Sequence, residues 1–294
     1  MALRNQGLTP IHDAYVKVKD SCRADWQSRE ASDAIRNLVV TALRFLKTEC
    51  VVVDLVSRVP GKDYFAFARR DQPSLLSRPA NRQFFLRSAS SLSKQWDAWR
   101  RGTADPERMA EVAYTAALAP CLATDLFDRQ NKKGPATYFE CFIGHVFARE
   151  LGTSPRKQAS LRVHGQTVRL TMDFLFECVN GSKVHLPVKM SSRERVVQAW
   201  AHQRLLDGAY GTGTYKGVMV LFSETKLDSR SREVVEICVP GQWLAYQSLL
   251  SRIDRIYYFD LPERYAELTK GYPDVIQIKE FVTFFEEKGG LLSV

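Results

Sequence analysis

The sequence predicts a mixed α/β fold preceded by a helical N-terminal part, and three observations carry that expectation. Up to about residue 130 the apolar residues recur at helical spacing. From about residue 135 short apolar runs, alternating or continuous, take turns with helical segments. No internal repeat and no low-complexity linker separates the two parts, so they are expected as 1–130 and 131–294 with a soft boundary.

In the first part, "SREASDAIRNLVVTALRFLKTE" places Ile35, Val39, Leu43 and Leu46 on one helical face. "DPERMAEVAYTAAL" opens with Asp105 as an N-cap ahead of Pro106. Between them, "RPANRQFFLRSASSLSKQWDAWRR" interleaves Arg78, Arg82, Arg87, Lys94, Arg100 and Arg101 with Phe84, Phe85, Trp96 and Trp99. Such a stretch suits contact with a DNA backbone. It suits equally a helix whose aromatics are in the core and whose charges are in water. In the second part "GPATYFECFIGHVFARELG" is bounded by Gly-Pro and Gly, as a helix should be. Then follow the alternating "VRLTMDFLFE", a "VNGSK" turn, "VHLPVK", the helix "SSRERVVQAWAHQRLL" and the strands "GVMVLF" and "VVEICV". The helix "GQWLAYQSLL", the strand "RIYYFD" and a closing helix at "IKEFVTFFEE" complete the pattern. Lys226, Arg230 and Arg232 fall in a loop between strands, solvated or touching phosphates.

With 45% hydrophobic and 26% charged residues the chain is globular rather than disordered. Its 42 basic against 33 acidic residues give a net charge of +9, which favours a polyanionic partner, nucleic acid or an anionic membrane surface. The six cysteines form no CxxC pair, which argues against a zinc ribbon or a disulfide framework and for a reducing compartment. No stretch approaches the roughly 20 apolar residues of a bilayer span. The start of the chain lacks an apolar run after its basic residue, so a soluble, cytoplasmic protein with no membrane partner is expected.

The alternation in "VRLTMDFLFE" puts Val168, Leu170, Met172, Phe174 and Phe176 on one face and Arg169, Thr171, Asp173, Leu175 and Glu177 on the other. In the next strand Val184, Leu186 and Val188 are apolar, and His185, Pro187 and Lys189 oppose them. Matching the apolar faces requires the three-residue loop Val179, Asn180, Gly181, with Gly181 left-handed, because a two-residue Asn-Gly turn would swap the faces. In that register Glu177 pairs with Lys183, Asp173 sits across from Pro187, and Lys189 lies one diagonal step from Asp173. A carboxylate and an ammonium so placed could hold a divalent cation and orient or deprotonate a water. They could also be an exposed ion pair worth about 0 to 1 kcal/mol. Glu140 lies in the apolar "TYFECFIGHVF", where a partly buried carboxylate needs a partner or a metal, unless it rides on a surface edge of the helix. Lys189 is followed by Arg193, Glu194 and Arg195. This triplet also fits a capping box from Ser191 to Glu194, which explains neither arginine.

Together these residues resemble the PD-(D/E)xK nuclease superfamily over roughly residues 135–260. Within it they resemble type II restriction endonucleases that recognise a CCGG, CCNGG or CCWGG core. The resemblance implies a restriction endonuclease-like core, a mixed central sheet flanked by helices, with Mg²⁺ held by Glu140 and Asp173 beside Lys189. Pro187 stands where the second acid is usual, and the displaced position on the following helix holds Gln203, which completes the implied catalytic set. An amide offers an oxygen but no charge, a departure that puts a second metal in doubt. Arg193, Glu194 and Arg195 match the triplet that reads C:G pairs, the arginines donating to guanine O6 and N7 and the carboxylate accepting from cytosine N4.

The function so implied is Mg²⁺-dependent, site-specific cleavage of double-stranded DNA at a palindrome, leaving 5′-phosphate ends. The enzyme would be a homodimer or a higher oligomer, the N-terminal part supporting dimerisation or embracing DNA, in the restriction-modification system of a prokaryotic cytoplasm. Two rivals stay open. A structure-selective repair or recombination nuclease would need no base-reading triplet, and a DNA-binding protein that had lost cleavage would show Gln203 as a first sign. Nucleases of the His-Asn-His type are disfavoured, because the five histidines form no local metal-ligand pair.

Overall fold

A computed structural model describes residues 9–101, 103–128, 131, 133–193, 195–228 and 230–291. In chain order the elements begin with α1 (Thr9–Ala24), α2 (Arg29–Glu49), β1 (Cys50–Ser57), β2 (Tyr64–Arg69), β3 (Gln72–Leu76), β4 (Ala80–Asn81), α3 (Ala89–Arg100), α4 (Pro106–Phe127) and α5 (Lys133–Leu151). Next come β5 (Arg156–Val163), β6 (Gln166–Glu177), β7 (Lys183–His185), β8 (Val188–Lys189), α6 (Val197–Tyr210), β9 (Lys216–Leu221), β10 (Thr225–Leu227) and β11 (Glu233–Glu236). The chain ends in α7 (Pro240–Leu249), β12 (Arg255–Tyr258), α8 (Glu263–Gly271), β13 (Ile278–Glu280) and α9 (Thr283–Leu291). The class is mixed α/β, with two compact units: Met1–Phe142 with Thr225–Ile237, and Ile143–Glu224 with Cys238–Val294. The division falls inside α5, and the later segment Thr225–Ile237 belongs to the first unit.

In the first unit α2 starts where Ser28 accepts the Ala31 amide, and it buries Ile35, Leu38, Val39, Leu43 and Leu46 along one stripe. In α4, Asp105 caps ahead of Pro106 as the sequence leads one to expect. The helix runs through Pro120, which has no N–H for the Ala116 carbonyl; the Tyr138 hydroxyl donates to that carbonyl instead, at 2.7 Å. The unit is not all helix. A sheet of order β10-β11-β1-β2-β3, with β4 beside β2, accompanies the helices. β1 and β2 are antiparallel from Cys50↔Arg69 to Leu55↔Tyr64 around a turn containing Pro60 and Gly61, and β11 joins β1 in parallel. The interleaved segment divides as well: Phe85, Trp96 and Trp99 are buried, Arg78 pairs with Asp125, and Arg82 pairs with Asp54 and Asp63. Lys226 lies in β10 rather than in a loop.

The second unit is built on a mixed sheet of order β13-β12-β9-β7-β6-β5, with β8 paired to β9. β7, β8 and β12 run parallel to β9, and β5, β6 and β7 form an antiparallel meander. Trp200, Trp243, Tyr258 and Tyr265 form the centre of a core cluster with Met219, Leu221 and Ile256. The stretch expected as one closing helix splits into β13 and α9, and α8 was not anticipated. All six cysteines are free thiols. Among the described residues no helix is long and apolar enough to cross a membrane.

Candidate active site

The hairpin β6–β7 has the register that the apolar alternation requires, with Leu175↔His185, Phe176↔Val184 and Glu177↔Lys183. Its loop is Val179, Asn180 and Gly181, closed by the Cys178 amide donating to the Ser182 carbonyl at 2.8 Å, and Gly181 has φ +85°. Leu175 keeps the face it was expected to share with His185 and Glu177, but α6 covers that face, and Leu175 is buried there with Met172, Leu206 and Tyr215. The ladder with β6 ends at Leu186, whose amide donates to the Phe174 carbonyl at 3.0 Å. Pro187 faces β9, its carbonyl accepting the Val220 amide at 2.9 Å, and the strand resumes as β8 against β9. The Val188 amide donates to Asp173 Oδ2 at 3.0 Å, and the same oxygen accepts from Lys189 Nζ at 2.6 Å. The two side chains are 24% and 17% exposed, which leaves them reachable yet partly shielded from water.

The triplet does not open a helix. α6 begins at Val197, and its N-cap Val196 makes no side-chain hydrogen bond, so Ser191 is not the cap of this helix. Glu194 lies outside the described residues. Arg193 and Arg195 are exposed, and Arg195 has φ +54°, a left-handed conformation that costs a non-glycine residue about 1 kcal/mol. A residue unmarked by the sequence reasoning supports this turn. Glu224, wholly buried just after β9, accepts from the Ser192 amide at 2.8 Å and from the Tyr258 hydroxyl at 2.6 Å. Burial pushes its carboxyl above the usual range, with Tyr258, Ser192 and Arg193 opposing. The signal was a lone carboxylate closing the apolar run "GVMVLFSE".

Gln203 faces inward from α6. Its Oε1 accepts from His185 Nδ1 at 3.0 Å, and its Nε2 donates to Asp207 Oδ1 at 3.1 Å and to the Tyr215 carbonyl at 2.8 Å. Gly217 makes room for this amide, since a Cβ there would stand 2.9 Å from Gln203 Oε1. His185 is fully buried, and burial pushes its pKa down to about 4, against a smaller opposing effect of Gln203. The imidazole is therefore neutral at pH 7, and with Nδ1 as donor its Nε2 is a bare acceptor. The His202 ring lies 6.3 Å from that of His185. Its pKa is lowered by burial, with Asp173 opposing and Lys189 reinforcing, so it senses both members of the pair.

Glu140 lies half-buried on α5, at the edge of the first unit. Burial raises the phenol pKa of Tyr15, and Glu140 adds to that rise. Mg²⁺ takes oxygen ligands and keeps several waters, so one or two carboxylates suffice. Asp173 meets this requirement: Oδ2 is occupied by Lys189 and Val188, while Oδ1 accepts no hydrogen bond from the described residues. Among the described residues no three His, Cys, Asp or Glu side chains gather as a metal cage, so the fit rests on Asp173.

Neither a protein-family model nor a curated protein sequence matches this chain. A solved structure does. The crystal structure of the Type IIP restriction endonuclease Kpn2I superposes with a TM-score of 0.79 over 96% of this chain and 97% of its own, at 22% identity. A complex of the restriction endonuclease PspGI with substrate DNA aligns over 98% and 95%, at 12% identity and a TM-score of 0.43. The first likeness establishes the fold, the restriction endonuclease-like α/β core with its central sheet flanked by helices.

Proposed function

We propose that this protein is a Mg²⁺-dependent type II restriction endonuclease that cuts double-stranded DNA at a palindrome with a CCGG-type or CCNGG-type core, leaving 5′-phosphate ends. The observation that carries the reading is the Asp173–Lys189 contact of 2.6 Å, six residues before Arg195 on a fold shared with Kpn2I. Asp173, through Oδ1, and Glu140 would hold the ion, which when bound supplies Lewis-acid stabilisation of charge on the phosphate. Lys189 Nζ, fixed by Asp173 Oδ2, lies where an ammonium can orient a water or take part in its deprotonation. Gln203 is read as a positioning residue, since both ends of its amide are engaged by His185, Asp207 and Tyr215.

Arg193 and Arg195 would donate to guanine edges in the major groove, with Glu194 accepting from cytosine. The exposed left-handed turn supports this reading, because backbone strain at an exposed arginine has no use in packing. A homodimer, or a higher oligomer, would match the two-fold symmetry of the site. Incubating plasmid with protein and Mg²⁺, then sequencing the ends, tests the reading. Discrete fragments sharing one palindromic sequence are expected. Heterogeneous nicking would point to a structure-selective nuclease, and a mobility shift without cutting to a DNA-binding protein.

A further inference from the structure

The first unit contains a basic groove that no carboxylate lines. It lies where the end of α2, the start of β1, the β2–β3 turn and the start of α3 meet, and it encloses about 850 Å³. Arg44, Lys47, Arg70 and Arg87 line it. Elsewhere in this unit arginines face carboxylates: Arg36 faces Asp33 and Asp97, Arg58 faces Glu233, and Arg69 faces Asp71. Among the described residues none of the four groove cations has an acidic partner. Two are instead held by neutral groups. Arg70 Nε donates to the Thr48 carbonyl at 3.1 Å, and the Arg87 guanidinium lies 4.8 Å from the centre of the Phe65 ring. Their other N–H groups stay available.

Like charges gathered along one groove repel, and an anion arriving from outside relieves that repulsion. The four cations come from three elements, α2, the β2–β3 turn and the entry to α3, along a groove of about 850 Å³. A polymer with closely repeating charges fits that arrangement, and duplex DNA carries one charge per roughly 1.7 Å of its axis. The exposed Val51 and Val52 give the groove an apolar side suited to sugar rather than to ions. We infer that this groove binds the phosphodiester backbone of duplex DNA, adding sequence-independent affinity from a unit that lacks Lys189 and the triplet. The inference rests on the reading of the protein as one that acts on DNA.

The test is binding of the full-length protein to a random-sequence duplex without divalent metal, followed as log K against log salt concentration. Arg44→Ala, Arg70→Ala and Arg87→Ala combined should flatten the slope by about 2 to 3. The same charge removed elsewhere, by Lys17→Ala, Lys19→Ala and Arg23→Ala on α1, should leave it near the wild-type value. The three groove positions changed to lysine should retain the slope; loss as complete as with alanine would make the effect structural and overturn the assignment. An unchanged slope in the alanine variant also overturns it. So does an unchanged slope with an altered sedimentation mass, which would give the groove to a second copy of the chain. Cleavage by the wild type, measured in parallel, separates the failures. Normal cutting with an unchanged slope sinks the groove alone, whereas no binding and no cutting sinks the proposed function too.

Discussion

Glu177–Lys183 and Asp173–Lys189 are carboxylate–ammonium pairs on the same side of one hairpin and its continuation, yet their surroundings differ. Glu177 accepts from Arg156 at 2.5 Å and from the Tyr215 hydroxyl at 3.2 Å, with Lys183 at 3.4 Å. Its desolvation is outweighed by Arg156, Lys183 and Tyr215, and its pKa falls below the usual range. At 44% and 35% exposure this pair is a solvated clamp on the turn end of the hairpin, worth about 0 to 1 kcal/mol. Asp173 has an ammonium and a backbone amide on one oxygen and, among the described residues, no hydrogen bond on the other. The difference teaches that two ion pairs of the same charges can differ in what they leave open, since Asp173 keeps an oxygen that no described residue fills.

Lys189→Ala should break the comparison most visibly. It is expected to slow plasmid cleavage by at least about 10³-fold while leaving a mobility shift on site-containing DNA. Normal cutting by this variant would end the assigned role. His185, beneath the same end of the hairpin, predicts a pH effect. Its folded pKa of about 4 lies below the unfolded 6.5, so the unfolded chain binds the proton first, and stability is lost as pH falls from about 6.5 to 4. The full loss is about 3 kcal/mol, and His185→Gln should remove that part of the acid dependence in thermal melts. Arg195→Ala should weaken specific binding by about 1 to 3 kcal/mol, read by titration against a duplex with the site. Asp173→Ala should stop cutting and also cost about 1 kcal/mol, since it strands the Val188 amide, whereas Asp173→Asn should stop cutting and keep the melt. Lys183→Ala is expected to change neither the cleavage rate by more than about twofold nor stability by more than about 1 kcal/mol.

The hairpin was legible because period-two alternation and one glycine admit a single register, and the register alone brings Asp173 toward Lys189. The strands of the first unit were not. "CVVVDLVS" follows α2 with no breaker between Glu49 and Cys50, so the helical pattern hides the change to β1. The Pro-Gly turn before "YFAFAR" was the signal that could have divided them. The start of α6 was misread because Ser191 and Glu194 satisfy the local rule for a cap, whereas the Ser192 amide is claimed by Glu224, distant in sequence. Likewise His185 and Gln203 meet only through tertiary folding, and each alone resembles a surface residue of a strand or a helix.

Where the hairpin's weave stops after Leu186, an acidic side chain supplies the next stitch, to the Val188 amide. A chain selected merely to fold would therefore be pressed to keep an oxygen at position 173, whatever became of its activity. Decay of such a protein would start at Lys189 or in the arginine turn, places that can be lost without unpicking the fabric.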